Sequence, residues 1–399
     1  MGRGLNISVA HRQNRGLLLR MILQNPRISR AKLAEMTHLT PASVSNITGA
    51  LIKERYIQEI GTLDEIRSIG RRSIGLAIRN GHYLTVAVHM QRHQITIGLG
   101  HLDGSVTHLT HLAVSDHPFP EELAQNIGAV IKDLVRERRE SHIVGIGVGA
   151  SGIVDTAAGT IYASLAYDWQ HVAWAALLSR ETGLSVVMDN NARGMALAEM
   201  LFGGSTQSSW LVFLFAGQGI GLGVLADGQV FGGGNGIGGE LGHITINWKG
   251  EACWCGNVGC LETYLNQAHI ESLLHVGDGE TIKTALQRSY QRGTYYDIID
   301  VVATALVAVV NMYNPQVIVL GGWIADVWPL MEDEVQQQVK RRTRFWNEPA
   351  LEIRSSSFGS EVGIHGANAV ALGKWVYGLG GRWEQTPADD GLDAPEETF

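Results

Sequence analysis

The chain has 399 residues, 31 Lys and Arg against 39 Asp and Glu, and a formal net charge of −8. Its length exceeds the usual single core and predicts two or three domains. Apolar residues make up 45% and charged residues 18%, which excludes wholesale disorder. The overall charge argues against nucleic acid as a partner. However, residues 1–80 hold 13 basic and 5 acidic residues, a net of +8, and the remainder holds 18 against 34, a net of −16. A basic head on an acidic body indicates a polyanion partner at one end.

The sequence indicates a cytoplasmic protein without a membrane partner. Residues 1–20 contain scattered arginines and lack the sustained apolar region of a signal peptide. The longest apolar run, residues 298–310, is interrupted by Asp300 and is too short to cross a bilayer, so it is predicted to be a buried helix. The three cysteines all fall within residues 253–260, which suits a reducing compartment better than a disulfide framework.

The basic head is predicted to contain three helices. Apolar residues at helical spacing over residues 17–22 indicate the first helix, which Pro26 ends. Ser29 caps a short second helix over residues 30–36. Thr40 is a good N-cap for a third helix that runs to about residue 55, with Pro41 at its first position, where the missing N–H costs nothing. Its apolar stripe leaves small and polar residues on the other face.

A short helix, a tight turn and a helix that begins with small polar residues are typical of a helix-turn-helix. Small residues let the backbone lie deep in the major groove, and Ser and Asn hydrogen-bond base edges or phosphates. Residues 56–61 and 73–79 are predicted to form a two-stranded wing with arginines at its tip, suited to a minor groove. A helical bundle with a solvated basic face is the alternative. The predicted DNA contacts are Arg30, Pro41, Ala42, Ser43, Ser45, Asn46, Arg71 and Arg72.

From about residue 81 the pattern changes to β-strands that alternate with helices. Strands are predicted at residues 84–89, 94–99, 106–113, 143–149, 186–188, 210–216 and 316–320, and helices at 121–139, 177–182 and 192–201. This alternation predicts two α/β lobes with ligands between them. Glycines recur at residues 217–223, 232–242 and 321–322. Because glycine lets backbone N–H groups approach a ligand, their recurrence predicts a cleft.

The sharpest local signal is a set of metal-ligating residues: His243, Cys253, Cys255 and Cys260. One imidazole and three thiolates form the closed tetrahedral set that structural zinc requires. Four protein ligands leave no open position for water, so we expect one structural zinc ion per chain. Free cysteines that cluster by chance are the alternative.

Polar residues on either side of this motif are suited to a polyhydroxylated ligand. Glu240 and Glu262 flank the motif, and Asp189, Asn190 and Asn191 form a polar cluster earlier in the chain. Carboxylates accept hydrogen bonds from hydroxyl groups, and amides both donate and accept. For each of these residues taken alone, a role as a solvated surface group is the better explanation.

Residues 238–243 (Gly-Gly-Glu-Leu-Gly-His), followed by residues 253–262 (Cys-Trp-Cys-Gly-Asn-Val-Gly-Cys-Leu-Glu), resemble the signature of the ROK family of repressors, open reading frames and sugar kinases. The similarity runs from Ser29 through Gly322. It implies a winged helix-turn-helix followed by a two-lobed, actin-like (ribonuclease-H-like) sugar-kinase α/β fold. The head is similar to that of the family's transcriptional repressors, such as the xylose, N-acetylglucosamine and glucose-phosphotransfer regulators, which the family's kinases usually lack.

The resemblance also implies ligands. Zinc is expected at the His243 and cysteine set, and an effector sugar at Asn190, Asn191, Glu240, His243 and Glu262. The expected domains are residues 1–80 for the winged head, 81–200 for the first lobe, 201–383 for the second lobe with the zinc loop, and 384–399 for a disordered acidic tail. The C-terminal helix of the second lobe is expected to be able to pack back on the first.

Two departures from the family pattern predict that the chain is not an enzyme. Family kinases open the first strand with an Asp-x-Gly-Gly-Thr phosphate loop, whereas His89 to His93 supply neither a glycine nor a carboxylate for Mg-ATP. The general-base Asp of the kinases aligns with Asn191, and an amide cannot act as a base. Asp189, two residues upstream, is an improbable substitute.

The leading hypothesis is a cytoplasmic, sugar-responsive transcriptional repressor. A homodimer, or a tetramer, would place two heads on two half-sites of operator DNA, and a sugar between the lobes would weaken DNA binding. One alternative is an ATP-dependent sugar kinase with a DNA-binding head. Another is a regulator without a small-molecule effector, in which Glu240 and Glu262 only buttress the zinc loop.

Overall fold

The computed structural model describes residues 7–62, 73–204, 208–234, 236–290, 292–343 and 351–379. The helices are α1 Ile7–Gln24, α2 Arg30–Thr37, α3 Pro41–Lys53, α4 Pro120–Arg136, α5 Trp174–Thr182, α6 Asn191–Phe202, α7 Leu261–Leu265, α8 Gln267–Leu273, α9 Ile282–Arg288, α10 Gly293–Tyr313, α11 Trp323–Val327, α12 Glu332–Arg342 and α13 Val362–Trp375, with 3₁₀ turns at Leu241–His243, Trp328–Leu330 and Gly359–Glu361. The strands are β1 Ile28–Ser29, β2 Ile57–Thr62, β3 Ile74–Ile78, β4 Tyr83–Gln91, β5 Gln94–His101, β6 Val106–Ala113, β7 His142–Ala150, β8 Ile153–Asp155, β9 Thr160–Ser164, β10 Trp169–Val172, β11 Val186–Asn190, β12 Trp210–Ala216, β13 Ile220–Ala226, β14 Gln229–Phe231, β15 Val317–Gly322 and β16 Glu352–Ser355.

The head is a winged helix-turn-helix, and local chemistry sets its helix ends. The Ser29 side chain accepts a hydrogen bond from the Lys32 backbone N–H at the start of α2, and Thr40 does the same from Ser43 at the start of α3. Both predicted N-caps are therefore confirmed. The wing strands β2 and β3 are antiparallel, and the two-residue β1 adds to the other edge of β3. The tip residues Arg67, Arg71 and Arg72 lie outside the described residues.

The first lobe is built on a five-stranded mixed sheet in the order β11-β7-β4-β5-β6. The central strand β4 is buried on both faces, and its side chains alternate between two cores. Val86, Val88 and Met90 pack with the apolar residues of α4 and α5. Ala87, on the opposite face, packs with Ala367 of α13. Helix α4 ends three residues earlier than predicted, at Arg136, where a turn begins.

The second lobe is built on the sheet β14-β13-β12-β15-β16 and the helices α7 to α12. Its central helix α10 has 21 residues, and among the described residues it is the helix long and apolar enough to cross a membrane by length and composition. The predicted apolar run, residues 298–310, lies inside this longer helix. The expected burial is observed along one side, since Ile298, Val302, Leu306 and Val309 pack in the core of the lobe.

Helices α6 and α13 join the two lobes. Although α13 follows the last strand of the second lobe, it packs against β4 and β7 of the first lobe and along the whole of α6. Gly194 and Gly366 face each other between the two helices, which allows close approach. Glu199 of α6 is fully buried and accepts hydrogen bonds from Arg354 of β16 at 2.9 Å and from Ser356, the residue after β16, at 2.7 Å. These bonds fix the point where the chain crosses between the lobes.

Candidate functional site

A cleft of about 1270 Å³ lies between the two lobes. The end of β4, the start of α6 and the start of α13 form its first-lobe side. The hairpin that joins β12 to β13, the segment before the 3₁₀ turn Leu241–His243, and the metal-ligand loop form the other side. All three glycine-rich segments singled out in the sequence border this one cleft.

The glycines of the β12–β13 hairpin have two roles, because some of them face the cleft and others pack against α6. The turn between β12 and β13 is short, because Ile220 and Gly221 already belong to β13. A Cβ on Gly221 would meet the Ala192 side chain at 2.9 Å, and Gly223 lies against the Ala192 carbonyl. These two glycines let the strand pass close to α6, while Gly217 to Gly219 form the tight turn that faces the cleft.

The predicted Asn pair stands at the N-terminus of α6, at the cleft wall. Asn190 caps the helix, accepting from the Ala192 backbone N–H at 2.9 Å, and it donates to the Gly152 carbonyl at 3.0 Å. Asn191 donates from Nδ2 to the Met90 carbonyl at 3.1 Å and to Ser151 Oγ at 2.9 Å. Asn190 is thus largely committed to the fold, whereas Asn191 keeps its Oδ1 unpaired.

Asp189 belongs to a buried ion pair and does not line the cleft. It is 1% exposed, and its Oδ1 accepts from Arg193 Nε at 2.5 Å and from the Asn190 backbone N–H at 2.7 Å. Arg193 also donates to the carbonyls of Val154 and Gly236, which links α6 to both walls. A carboxylate in this position is paired with a guanidinium and faces away from the ligand space.

The end of β4 carries a buried histidine, His89. His89 is 6% exposed, and its ring lies against Gly363 in the first turn of α13. Burial lowers the pKa of His89 to about 4, so the imidazole is neutral at physiological pH. Gln91, Arg92 and His93, which follow, are exposed along the cleft.

Glu240 and Glu262 face the same cleft from the second lobe. The Glu240 carboxylate is open to the cleft, but the surrounding walls desolvate it and raise its pKa. Glu262, in the first turn of α7, accepts from the Ile220 backbone N–H at 3.0 Å. Its second oxygen accepts from the indole Nε1 of Trp254 at 2.6 Å.

Trp254 is a cleft residue that the sequence analysis missed. Its ring is 58% exposed, lines the cleft and meets the His243 ring edge-on at 4.9 Å between centroids. One signal in the sequence could have identified it. Trp254 lies between two metal-ligating cysteines, so its position is fixed next to the predicted ligand site.

The four predicted metal ligands come together in space. The ligand atoms of His243, Cys253, Cys255 and Cys260 all lie within 4.8 Å of one another. Cys255 Sγ is 3.7 Å from Cys260 Sγ, and Cys253 Sγ is 3.8 Å from His243 Nδ1. In a tetrahedral site with Zn–S bonds of about 2.3 Å the sulfur atoms are roughly 3.8 Å apart, so the cluster fits a zinc ion.

The loop holds these ligands by its backbone and an amide side chain. Asn257 Nδ2 donates to the His243 carbonyl at 3.3 Å and to Thr245 Oγ1 at 3.0 Å. Burial and the neighbouring thiols raise the pKa of Cys260 to about 12, while the Asn257 backbone N–H lowers that of Cys255. Three adjacent thiolates repel one another, so a bound cation would be needed for all three thiols to lose their protons.

The candidate nucleic-acid surface is the first half of α3. Pro41, Ala42, Ser45 and Asn46 are exposed there, and Ser43 is half-buried against Thr40, with 2.9 Å between their hydroxyl oxygens. Arg30 is placed differently from the other predicted contacts. It donates to Thr48 Oγ1 at 3.0 Å and pairs with Glu59 at 2.9 Å, so it braces the head internally.

Comparisons with known proteins agree with this architecture. The model of the ROK family matches residues 85–374, and a model described as winged helix-turn-helix DNA-binding matches residues 12–58. A putative xylose repressor of Caldicellulosiruptor sp. (strain Rt8B.4) is 29% identical over 381 residues, which cover 90% of this chain and 95% of the relative. The DNA-binding transcriptional dual regulator NagC of Escherichia coli (strain K12) is 29% identical and covers 85% of this chain and 88% of its own.

Solved structures give the same result. A ROK family transcriptional regulator, described as a homologue of the E. coli MLC protein, superposes with a TM-score of 0.77 at 27% identity and covers 93% of this chain and 98% of its own. The ROK hexokinase from Thermus thermophilus superposes with a TM-score of 0.61 at 25% identity and covers 73% of this chain.

The chain thus combines a winged helix-turn-helix of the DNA-binding type with a two-lobed, sugar-kinase-like α/β body that carries a His-Cys₃ cluster. The chain belongs to the ROK family.

Proposed function

We propose that the chain is a sugar-responsive, DNA-binding transcriptional repressor that acts in the cytoplasm. The observation that carries the proposal is the union, in one chain, of an exposed polar α3 surface on the head and a polar cleft between two lobes. The similar proteins, which include a putative xylose repressor and an N-acetylglucosamine repressor, support the same class of function.

The ligand of the cleft is proposed to be a sugar. The cleft offers the Asn191 amide oxygen and the carboxylates of Glu240 and Glu262, a set that accepts hydrogen bonds from several hydroxyl groups. The indole of Trp254 adds an apolar wall for the C–H face of a sugar ring. Asn190 and His243 would then shape the site through the α6 cap and the metal cluster.

Helices α6 and α13 are proposed to carry the signal from sugar to DNA. Both begin at the cleft, at Asn191 and Val362. Helix α6 contacts α1 of the head, and so does the chain just after α13. The Tyr377 carbonyl, just after α13, accepts a hydrogen bond from Arg20 of α1, and Gly16 of α1 packs on the same carbonyl. A change of lobe closure that moves this helix pair would therefore move the head.

We infer that a homodimer, or a tetramer made of two dimers, presents two heads to two half-sites of an operator. A single α3 reads only a few base pairs, and a two-fold pair of heads doubles the site and fixes its spacing. Sugar-dependent changes in that spacing would weaken binding to the operator, and by linkage the operator would weaken sugar binding by the same factor.

Kinase chemistry is not part of the proposal. The buried, neutral His89 stands at the end of β4, where the phosphate loop of a kinase would begin. Asn191 cannot remove a proton, and the pairing of Asp189 with Arg193 argues against its service as a substitute base. Release of ADP that depends on a sugar would contradict this part of the proposal.

The His243 and cysteine cluster is proposed to hold one structural zinc ion per chain. Zinc there would tie the loop that carries Trp254 to the segment that carries Glu240. Elemental analysis of the purified chain is expected to give about one zinc per chain. The Cys255→Ser variant should lose the metal and melt at a lower temperature. Zinc-free protein with an unchanged melting temperature would contradict the assignment.

The proposed function is tested with the full chain and DNA. Selection from a random DNA library should yield a specific site with two half-sites. Fluorescence anisotropy at fixed salt then measures how D-xylose, N-acetyl-D-glucosamine and D-glucose change the Kd for that site. At least one sugar should raise the Kd in the wild type and fail to do so in Glu240→Gln. Glu121→Gln, an exposed residue on α4, is the matched control. A chain that selects no specific DNA site would refute the proposal.

A further inference from the structure

Two buried polar atoms lack hydrogen-bond partners at the floor of the cleft. They are His89 Nε2 and Asn191 Oδ1. Most buried polar atoms are paired, and an unpaired one costs stability unless a ligand or an ordered water satisfies it. Two such atoms on residues that line one cleft point to a bound group with hydrogen-bonding capacity.

The two atoms share one corner of the first lobe. His89 on β4 pairs in register with Gly149 on β7. A Cβ on Gly149 would stand 2.7 Å from Asn191 Oδ1, so the amide oxygen reaches over the strand next to His89. His89 and Asn191 lie on the side of the sheet that α13 covers, where Gly363 packs on the imidazole and Ala367 lies behind the amide.

The amide orientation is fixed by its other bonds. Asn191 Nδ2 donates to the Met90 carbonyl, which can only accept, so the buried atom left without a partner must be the acceptor Oδ1. Oδ1 therefore needs a donor. A neutral imidazole with its proton on Nε2 needs an acceptor, and with the proton on Nδ1 it needs a donor.

We propose that His89 and Asn191 form a hydroxyl-binding subsite, in which one hydroxyl of the effector sugar donates to Asn191 Oδ1 and accepts from His89 Nε2–H. This inference rests on the proposed function and adds to it a residue that selects among sugars. A hydroxyl group is the smallest group that donates and accepts at once. In the sugar-free protein an ordered water would satisfy the same two atoms.

Charged ligands fit this corner poorly. Burial keeps His89 neutral, so the imidazole offers an anion no positive charge. The Asn191 oxygen is an acceptor and would face the anion with a partial negative charge. The end of β4 is therefore suited to bind a neutral polar group such as a hydroxyl, and it is not suited to bind a phosphate.

The experiment compares sugars that differ by one hydroxyl in two His89 variants. The probes are D-glucose, D-xylose, N-acetyl-D-glucosamine and their monodeoxy derivatives, titrated calorimetrically into the full chain. For the sugar that binds, loss of one particular hydroxyl should weaken binding to the wild type about tenfold. His89→Leu should bind the parent sugar about tenfold more weakly and no longer distinguish the deoxy derivative. His89→Gln, whose Nε2 can donate from nearly the same place, should recover the distinction, and His117→Leu, an exposed histidine, is the control.

Each outcome decides between the two proposals. A parent sugar that binds His89→Leu with unchanged affinity and unchanged deoxy profile overturns the subsite and leaves the proposed function standing. Absence of binding by all the sugars counts against the proposed function, and the subsite falls with it. A crystal structure of the wild-type chain with the bound sugar gives a test that needs no variant. It should show a sugar hydroxyl within hydrogen-bond distance of both His89 Nε2 and Asn191 Oδ1, and its absence overturns the inference.

Discussion

Glu262 is held on both of its carboxylate oxygens by groups of the protein. The Ile220 backbone N–H binds one oxygen and the Trp254 indole binds the other at 2.6 Å. Each oxygen retains a second lone pair for a ligand hydroxyl. The indole therefore fixes the direction in which Glu262 can accept a sugar hydroxyl, and the His243 and cysteine loop fixes the indole.

Trp254→Phe is expected to weaken sugar binding about tenfold, because it keeps an aromatic wall but removes the donor that orients Glu262. Calorimetric titration of the sugar that releases DNA measures the effect, and the zinc content should stay unchanged. Trp248→Phe is the matched control, since Trp248 is 81% exposed on the neighbouring segment. Equal losses in both variants would indicate that the indole N–H does not matter.

Ligand identities could be predicted from the sequence more readily than their orientation. The spacing of His243 and the cysteines carries the chemistry of zinc, so the cluster followed from the residues alone. The orientation of a side chain depends on contacts between distant segments. The sequence placed Asp189 in a possible ligand ring, but the structure pairs it with Arg193 one helical turn away. The pairing of Arg30, a predicted DNA contact, with Glu59 of β2 could likewise not be predicted from the sequence.

His89 is expected to make the fold less stable in mild acid. Its pKa is about 4 in the folded chain and roughly 6.5 in an unfolded chain. Between these values the unfolded state binds the extra proton, so the free energy of unfolding falls as the pH falls from about 6.5 towards 4. His89→Leu lacks this contribution. From pH 7 to pH 5 its free energy of unfolding should fall less than that of the wild type, by about 2 kcal/mol.

Denaturant titrations at both pH values measure that difference. The zinc loop and the other histidines are common to both chains, so their own pH dependence cancels in the comparison. His117→Leu, which removes an exposed histidine, should follow the wild type. Parallel pH dependence of wild type and His89→Leu would show that the imidazole charges in the folded state.

At the scale of elements, the helices of the head could be predicted from local signals, whereas the small sheet and the packing of the lobes depend on contacts between distant segments. Ser29, Thr40 and Pro41 act within one helical turn, so the bounds of α2 and α3 could be predicted closely. The small sheet β8-β9-β10 was not predicted, because its three short strands have no pattern until they pair. The packing of α13 on β4 and β7 depends on residues more than 200 positions apart, and only the resemblance hinted at it.

The first half of α3 is the element on which DNA recognition should depend. Asn46 is exposed on that face, and the amide of an asparagine can form two hydrogen bonds with an adenine. Asn46→Ala is expected to weaken binding to the selected site by about 1–3 kcal/mol while binding to unrelated DNA changes little. Asn126→Ala, an exposed asparagine on α4, should leave both unchanged. Anisotropy with specific and scrambled DNA at one salt concentration separates these effects, and a uniform loss on both would point to a phosphate contact.

At the scale of the whole molecule, the two parts of the chain carry opposite net charges. The head carries +8 and the rest of the chain −16, so DNA is drawn to the head and repelled from the lobes. The two parts nevertheless meet in a packed joint. Tyr56 of the head stacks on Tyr83 at the start of β4, with ring centroids 4.1 Å apart, and Arg15 lies over the Tyr56 ring. A joint of this kind transmits motion, whereas a loose tether would not.

Arg20 is the residue whose removal should uncouple sugar from DNA. It is half-buried in the joint and donates to the Tyr377 carbonyl just after the end of α13. Arg20→Ala should keep the affinity for DNA without sugar and the affinity for sugar without DNA within about threefold, because it touches neither site. The factor by which sugar raises the Kd for DNA should shrink several-fold, since coupling free energies are typically only 1–3 kcal/mol.

Two titrations measure that factor independently. The change in the Kd for DNA on adding sugar must equal the change in the Kd for sugar on adding DNA, in the wild type and in the variant alike. Arg136→Ala, which breaks an exposed ion pair with Asp133 on α4, is the control for loss of an arginine. If Arg20→Ala retains the wild-type factor in both titrations, the signal does not pass through the end of α13, and the stacked pair of Tyr56 and Tyr83 becomes the route to test.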